Sequence, residues 1–296
     1  MKARSKTNSM FLLSFGIVLL IFTTISPAQM IKLTGDDFSA WRDNTGQWQI
    51  VGDVFTDPAD EKLLKSKPGT GAMLNGPTGR TSHLFSRAEF GDVKAHIEFM
   101  VSKGSNSGVY FMGRYEIQVY DSYGTGRGEY PGIECGGIYQ RWDETRNPKG
   151  YEGYSPRVNA SKPPGQWQTF DVIFRAPRFD DTGRKVKNAR FGVVLHNGIV
   201  IHENVELTGP TRAGAYNDEK PAGPLMLQGD HGPVAYRNIR IEPLWLPFFA
   251  LDNAATDDKH KTPKECQEGL SARSEGLLDE RGGKHLPQMA EELEKN

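Results

Sequence analysis

This sequence has no apolar run long enough for a comfortable membrane span: the one near its N-terminus is too short and no second long one occurs. Its two cysteines, Cys135 and Cys266, are too few and too far apart to make a disulfide framework, although a bridge between them stays open. No His and Cys residues share the spacing of a structural zinc site, and no internal repeat is apparent. Gly124, Gly126 and Gly128 are followed by no helical pattern, so they form no phosphate cradle. An excess of either charge is also missing, with 36 basic residues against 37 acidic ones. That balance excludes a nucleic-acid surface and favours a neutral partner.

What is present begins with a leader. Basic Lys2, Arg4 and Lys6 precede the apolar run Phe11 to Ile25, and Ser26-Pro27-Ala28 closes it, the pattern of a secretory signal over 1–28. The mature chain is therefore expected to be periplasmic or extracellular, with no membrane contact once the signal is removed. One domain is expected over 29–250. Beyond it, charges crowd and apolar residues thin into a tail over 251–296, with one short helix over 287–294.

Glycine (33 residues) and proline (18) are frequent and helical periodicity is scarce, so many short strands joined by turns are expected: an all-β chain. Lys94 to Val101 alternates, with Ala95, Ile97, Phe99 and Val101 on one face. Gly108 to Met112 and Arg114 to Asp121 follow, and the three read as a meander. Asn197-Gly198 between two apolar runs marks a tight hairpin, with His196 and His202 beside it read as surface residues. Leu225 to Gln228 and Val234 to Ile241 complete the sheet, and Gln228 falls out of phase with Leu225 and Leu227. The long aromatic stretch from Tyr123 to Ser161 reads as a functional loop.

Arg114 to Asp121 carries the chemistry. Ile117 and Val119 point one way, Glu116, Gln118 and Tyr120 the other, and Asp121 sits where a strand ends or bulges. A carboxylate and an amide on one strand face are costly to bury without partners, so an open cleft suits them better than a core. The bland alternative is the polar face of a half-buried strand.

Four motifs in order, Gly104 to Phe111, Tyr115 to Asp121, Val158 to Trp167 and Leu227 to Gly232, resemble the 3-keto-disaccharide hydrolase domain family over roughly Ile31 to Leu244. The resemblance implies a jelly-roll sandwich of two antiparallel sheets, of the concanavalin A-like lectin and glucanase type. It also implies a bacterial exported enzyme acting on glycosides already oxidised at carbon 3. Laminarinase-type glycosidases of that fold class carry a nucleophile, a helper Asp and an acid/base Glu on one bulged strand, and Glu116, Gln118 and Asp121 have comparable spacing. Gln118 cannot be a charged helper and Asp121 is short for an acid/base, so base-assisted elimination is favoured over paired-carboxylate hydrolysis.

Glu116, Asp121 and His231 are the expected catalytic set. Asn106, Gln118, Asn159, Lys162 and Gln228 are expected to hold the sugar, and Tyr139 and Trp142 to stack on it. No cofactor is required by these residues, and a divalent cation, calcium or magnesium, is the one that this face leaves open. The expected partner is a carbohydrate or glycoside. A non-catalytic carbohydrate-binding module and a structural partner of other exported proteins are the competing classes.

Overall fold

The computed structural model describes residues 30–42, 47–76, 78–126 and 134–244. The signal segment, Cys266 and the tail with its expected helix lie outside the described residues. Among those described there are sixteen strands and no helix. The larger antiparallel sheet has the order β14 (Ile199–Leu207), β13 (Ala189–His196), β10 (Gln168–Arg175), β5 (Val93–Val101), β16 (Val234–Pro243), β3 (Asp60–Leu74) and β2 (Gln49–Asp57), with β1 (Ile31–Lys32) also on β16. The four-stranded sheet runs β4 (Leu84–Phe90), β15 (Gly223–Leu227), β6 (Asn106–Phe111), β7 (Tyr115–Tyr120). Two ribbons complete the set, β8 (Arg141–Trp142) with β9 (Gly150–Tyr151), and β11 (Arg178–Phe179) with β12 (Lys185–Lys187).

Strand alternation explains how the two sheets pack. Ala95, Ile97, Phe99 and Val101 of β5 and Phe170, Val172 and Phe174 of β10 share one core with Val109 and Phe111 of β6 and Ile117 and Val119 of β7. Phe174 is a hub of this core: its ring lies 5.2 Å from Phe111, 5.3 Å from Phe191 and 5.5 Å from Tyr115. A second, smaller core of Val51, Val54, Leu64 and Met100 is built where the long β2–β3 hairpin forms the end of the larger sheet.

Two expectations change here. The three consecutive strands are not a meander, because β5 pairs with β10 and β16 while β6 and β7 pair in the other sheet. The turn after Val101 carries the chain across the sandwich, and alternation within each strand cannot reveal that crossing. His196 and His202 are also not on the surface, being only 0 % and 4 % exposed. Gly136 packs on Ile201, and Arg157 N–H bonds the Ile201 carbonyl, so the loop covers β14. His202 Nε2 donates to the Gly136 carbonyl at 2.8 Å, and His196 Nε2 meets Gln168 Oε1 at 2.9 Å. Burial lowers both histidine pKa values to about 4, so both are neutral at physiological pH.

The hairpin turn is as expected, with Asn197 at φ 52° and Gly198 at φ 82°, both in the left-handed region of a type I′ turn. Elsewhere a buried amide fixes a loop that the site needs. Asn75 Nδ2 donates to the Gly229 and Gly232 carbonyls at 3.0 and 2.8 Å, and its Oδ1 accepts from Val234 N–H at 2.8 Å. Leucine at 75 would remove these bonds from the Gly232 carbonyl and the Val234 N–H and leave the Gly229 carbonyl with the Thr81 N–H alone, at a site 1 % exposed. Asn75→Leu should therefore cost about 2–4 kcal/mol in chemical denaturation, and Phe174→Ala about 3–5 kcal/mol through the cavity it leaves.

Candidate functional site

Because Ile117 and Val119 are bound into the core, Glu116 and Gln118 face away from it on β7, and the strand has no bulge. Their cross-strand partners on β6 are Tyr110 opposite Glu116, Gly108 opposite Gln118, and Asn106 opposite Tyr120. Gln228 extends β15 on the same face, its N–H donating to the Gly108 carbonyl at 2.9 Å. The centre of this surface is Gly108, and a Cβ there would overlap Glu116 Oε1 and crowd the Tyr110 ring. The Glu116 carboxyl thus lies across the space a side chain would fill.

Glu116 is 2 % exposed. With its amide nitrogen facing the available acceptors, Gln118 donates to Glu116 Oε1 at 3.0 Å and to the Ser107 carbonyl at 2.9 Å. Burial raises the Glu116 pKa to about 8, against a hydrogen bond from Tyr110 that favours the charged form. Burial and the carboxyl beside it in turn push the Tyr110 hydroxyl well above the usual phenol value. Glu116 Oε2, Asn106 Oδ1 and Gln228 Oε1 are shielded from solvent and have no hydrogen-bond partner. Three acceptors left open on one sheet face mark the place where a ligand supplies the donors.

The structure separates the three expected catalytic residues. Asp121 follows an unbulged strand, so it does not share the Glu116 face, and its Oδ2 accepts from Gly104 N–H at 2.8 Å, closing the turn before β6. His231 is half exposed and its Nδ1 sits 2.5 Å from Asp230 Oδ1. The loop that carries it packs at Gly232 against Ser105 and Asn106, at the far end of the face from Glu116. Among the described residues no group of three or more His, Cys, Asp or Glu side chains converges on a cation site.

The sugar-binding expectations divide likewise. Asn106, Gln118 and Gln228 lie on the Glu116 face. Asn159 does not join them: its Nδ2 donates to the Ser122 and Thr125 carbonyls, at 2.5 and 2.9 Å, and ties two loops together. Lys162 Nζ donates to the Trp167 carbonyl at 3.2 Å and is likewise a loop tie. Tyr139 lies beside β7, its N–H donating to the Glu116 carbonyl at 3.4 Å. Trp142 is at the rim with one ring face already under the Arg212 guanidinium at 3.9 Å.

Three neighbours went unread in the sequence. Tyr110 was legible, since alternation with Val109 and Phe111 puts it on the Glu116 face. His83 precedes a strand whose pattern is less plain. Its Nδ1 accepts from Gly229 N–H at 3.2 Å, which leaves the proton on Nε2, and it lies 3.9 Å from Asp230. Burial holds its pKa below the usual value against the pull of Asp230. Thr211 gave no local signal: its Oγ1 accepts from Glu116 N–H at 3.1 Å and donates to the Arg114 carbonyl at 3.0 Å.

The antiparallel β-sandwich with a buried acid among open amides is that of a carbohydrate-active enzyme, the class that the family match and a solved relative support. More narrowly, residues 29–242 match the model of the 3-keto-alpha-glucoside-1,2-lyase-like domain, and the chain belongs to that family. A candidate glycosyl hydrolase from Parabacteroides distasonis has a similar structure, with a TM-score of 0.52 and 27 % identity over 73 % of this chain and 84 % of that one. A second candidate glycosyl hydrolase from the same organism superposes at a TM-score of 0.47 with 18 % identity, covering 73 % of this chain and 100 % of that one. Among curated proteins, 112 residues align at 31 % identity with the ATP-dependent zinc metalloprotease FtsH of Acidimicrobium ferrooxidans, 38 % of this chain. The chain spans only 16 % of that protein's length.

The Glu116 geometry sets two outcomes. Gly108→Ala should displace the carboxyl and lower kcat by at least about tenfold with little change in folding, read by steady-state kinetics and circular dichroism. The unfolded chain ionises this group near its ordinary 4.5 and the folded chain near 8, so the unfolded state binds fewer protons in between. Wild-type stability should fall relative to Glu116→Gln as pH rises from about 5 to about 8, measured by denaturation at each pH.

Proposed function

We propose that this chain is an exported enzyme that cleaves glycosides carrying a ketone at carbon 3, by elimination of the carbon 1 substituent followed by addition of water. The observation that carries the reading is the isolation of Glu116. Burial alone raises its proton affinity, and no second carboxylate contributes. A retaining glycosidase would place another carboxyl roughly 5–5.5 Å away, and the mutual repulsion would register. One strong base suits a substrate whose ketone acidifies its neighbouring C–H.

In this reading ionised Glu116 takes the proton from carbon 2, and the electron pair forms the enolate of the carbon 3 ketone. The enolate then re-forms the ketone, carbon 1 and carbon 2 become doubly bonded, and the carbon 1–oxygen bond breaks as the leaving oxygen gains a proton. Water adds at carbon 1 and a proton returns to carbon 2. Tyr110 keeps its proton throughout and steers the carboxylate. Asn106 and Gln228 present acceptors to sugar hydroxyls, and His83 offers an Nε2 proton at the other side of the face. Export follows from reading residues 1–28 as a signal, and family membership supports the sugar class.

Purified mature protein should cleave 3-keto-trehalose or a 3-keto-glucoside and leave the unoxidised sugar intact. Activity should be lost by about 10²–10⁴-fold in Glu116→Gln, and kcat/KM should rise with pH, reaching half its plateau near 8, the Glu116 pKa. Cleavage of the plain sugar would return the chain to conventional glycosidases, and sugar binding without turnover of either would make it a binding module.

A further inference from the structure

Beside β7 lies a cavity of about 380 Å³ whose wall includes Arg141, Trp142, Thr211, Arg212 and Asn217, two guanidinium groups and no carboxylate. That volume is in the range of small-molecule sites. It lies at the edge of β7 next to the Glu116 backbone, because Thr211 on its wall accepts the Glu116 N–H.

The two arginines differ in their commitments. Arg141 is within 3.6 Å of Glu152, bonds Thr208 and lies over the Tyr151 ring at 5.1 Å. Arg212 makes no ion pair among the described residues, yet its position is fixed. Its backbone N–H donates to the Gln140 carbonyl at 2.8 Å, and its guanidinium rests on Trp142, which is itself held by a 2.7 Å bond from Nε1 to Glu144. A guanidinium stacked on an indole keeps its N–H fork in a defined plane, ready to meet a carboxylate with two parallel bonds. An oriented cation on a cavity wall that carries no acid, with Glu144 acting on it only from beyond ion-pair distance, is placed to meet an anion.

We infer that this cavity is a subsite for a carboxylate-bearing leaving group, such as an acidic phenol or a uronate, gripped by Arg212 with Arg141 beside it. The inference takes from the proposed reaction only that the leaving group sits next to Glu116; recognition of the carboxylate needs no turnover. The carboxylate end enters the cavity while the glycosidic oxygen stays at the sheet face.

Titration calorimetry with unoxidised 4-carboxyphenyl α-glucoside and its uncharged isostere, 4-carbamoylphenyl α-glucoside, tests this apart from catalysis. The carboxylate should bind wild-type protein at least tenfold more tightly at low salt, and Arg212→Gln should erase that preference. Arg212→Lys, which keeps the charge and stem but not the fork, should retain part of it, so a fold defect is told apart from a lost contact. Equal affinity of wild type for the two ligands, a preference that survives in Arg212→Gln, or no binding of either at millimolar concentration would overturn the inference. Failure to turn over any 3-keto sugar would defeat the proposed reaction and leave this comparison standing.

Discussion

The site depends on one close fit, the Glu116 carboxyl lying over a residue that has no side chain. Gly108 sits in mid-strand, where glycine costs stability and contributes no packing. Its absence of Cβ leaves the room that the Glu116 carboxyl occupies. From that follow the burial of the acid, its raised proton affinity and its contacts with Gln118 and Tyr110. An alanine-sized obstruction would turn the carboxyl toward solvent and return it to ordinary acidity.

The scaffold holds this arrangement from both sides. Behind it, β6 and β7 press Val109, Phe111, Ile117 and Val119 into the aromatic core around Phe174, so the floor of the site is as rigid as the core. At its ends the loops are tied by buried polar groups, Asn75 on the 228–234 segment and Thr211 on the edge of β7. A rigid sheet supplies the base and pinned loops supply the rim, the usual division between scaffold and specificity.

Much of this was legible in the residues. Alternation put Glu116 and Gln118 opposite Ile117 and Val119, the phase of Gln228 against Leu225 and Leu227 put it on the same face, and Asn197-Gly198 located the hairpin. The failures have physical causes. Asp121 was grouped with Glu116 on the supposition of a bulge, but the strand keeps its register and the carboxylate caps a turn. His202 read as exposed because nothing local to an edge strand tells that a loop 66 residues away in sequence, at Gly136, folds over it, and His196 because its partner Gln168 lies on a different strand. Asn159 and Lys162 have the chemistry of sugar ligands, but backbone carbonyls claim them first. Thr211 and Arg212 lie in a segment without periodicity, and only the fold brings them to the site.

The central claim is that Glu116 removes a proton from carbon 2. Cleavage of a 3-keto-glucoside deuterated at carbon 2 tests it most directly. The account predicts a primary isotope effect on kcat/KM, or exchange of the label with solvent in recovered substrate where proton removal is reversible. Cleavage with no isotope effect and with the label intact in both substrate and product would show that the carbon 2 bond is never broken, and would contradict the account.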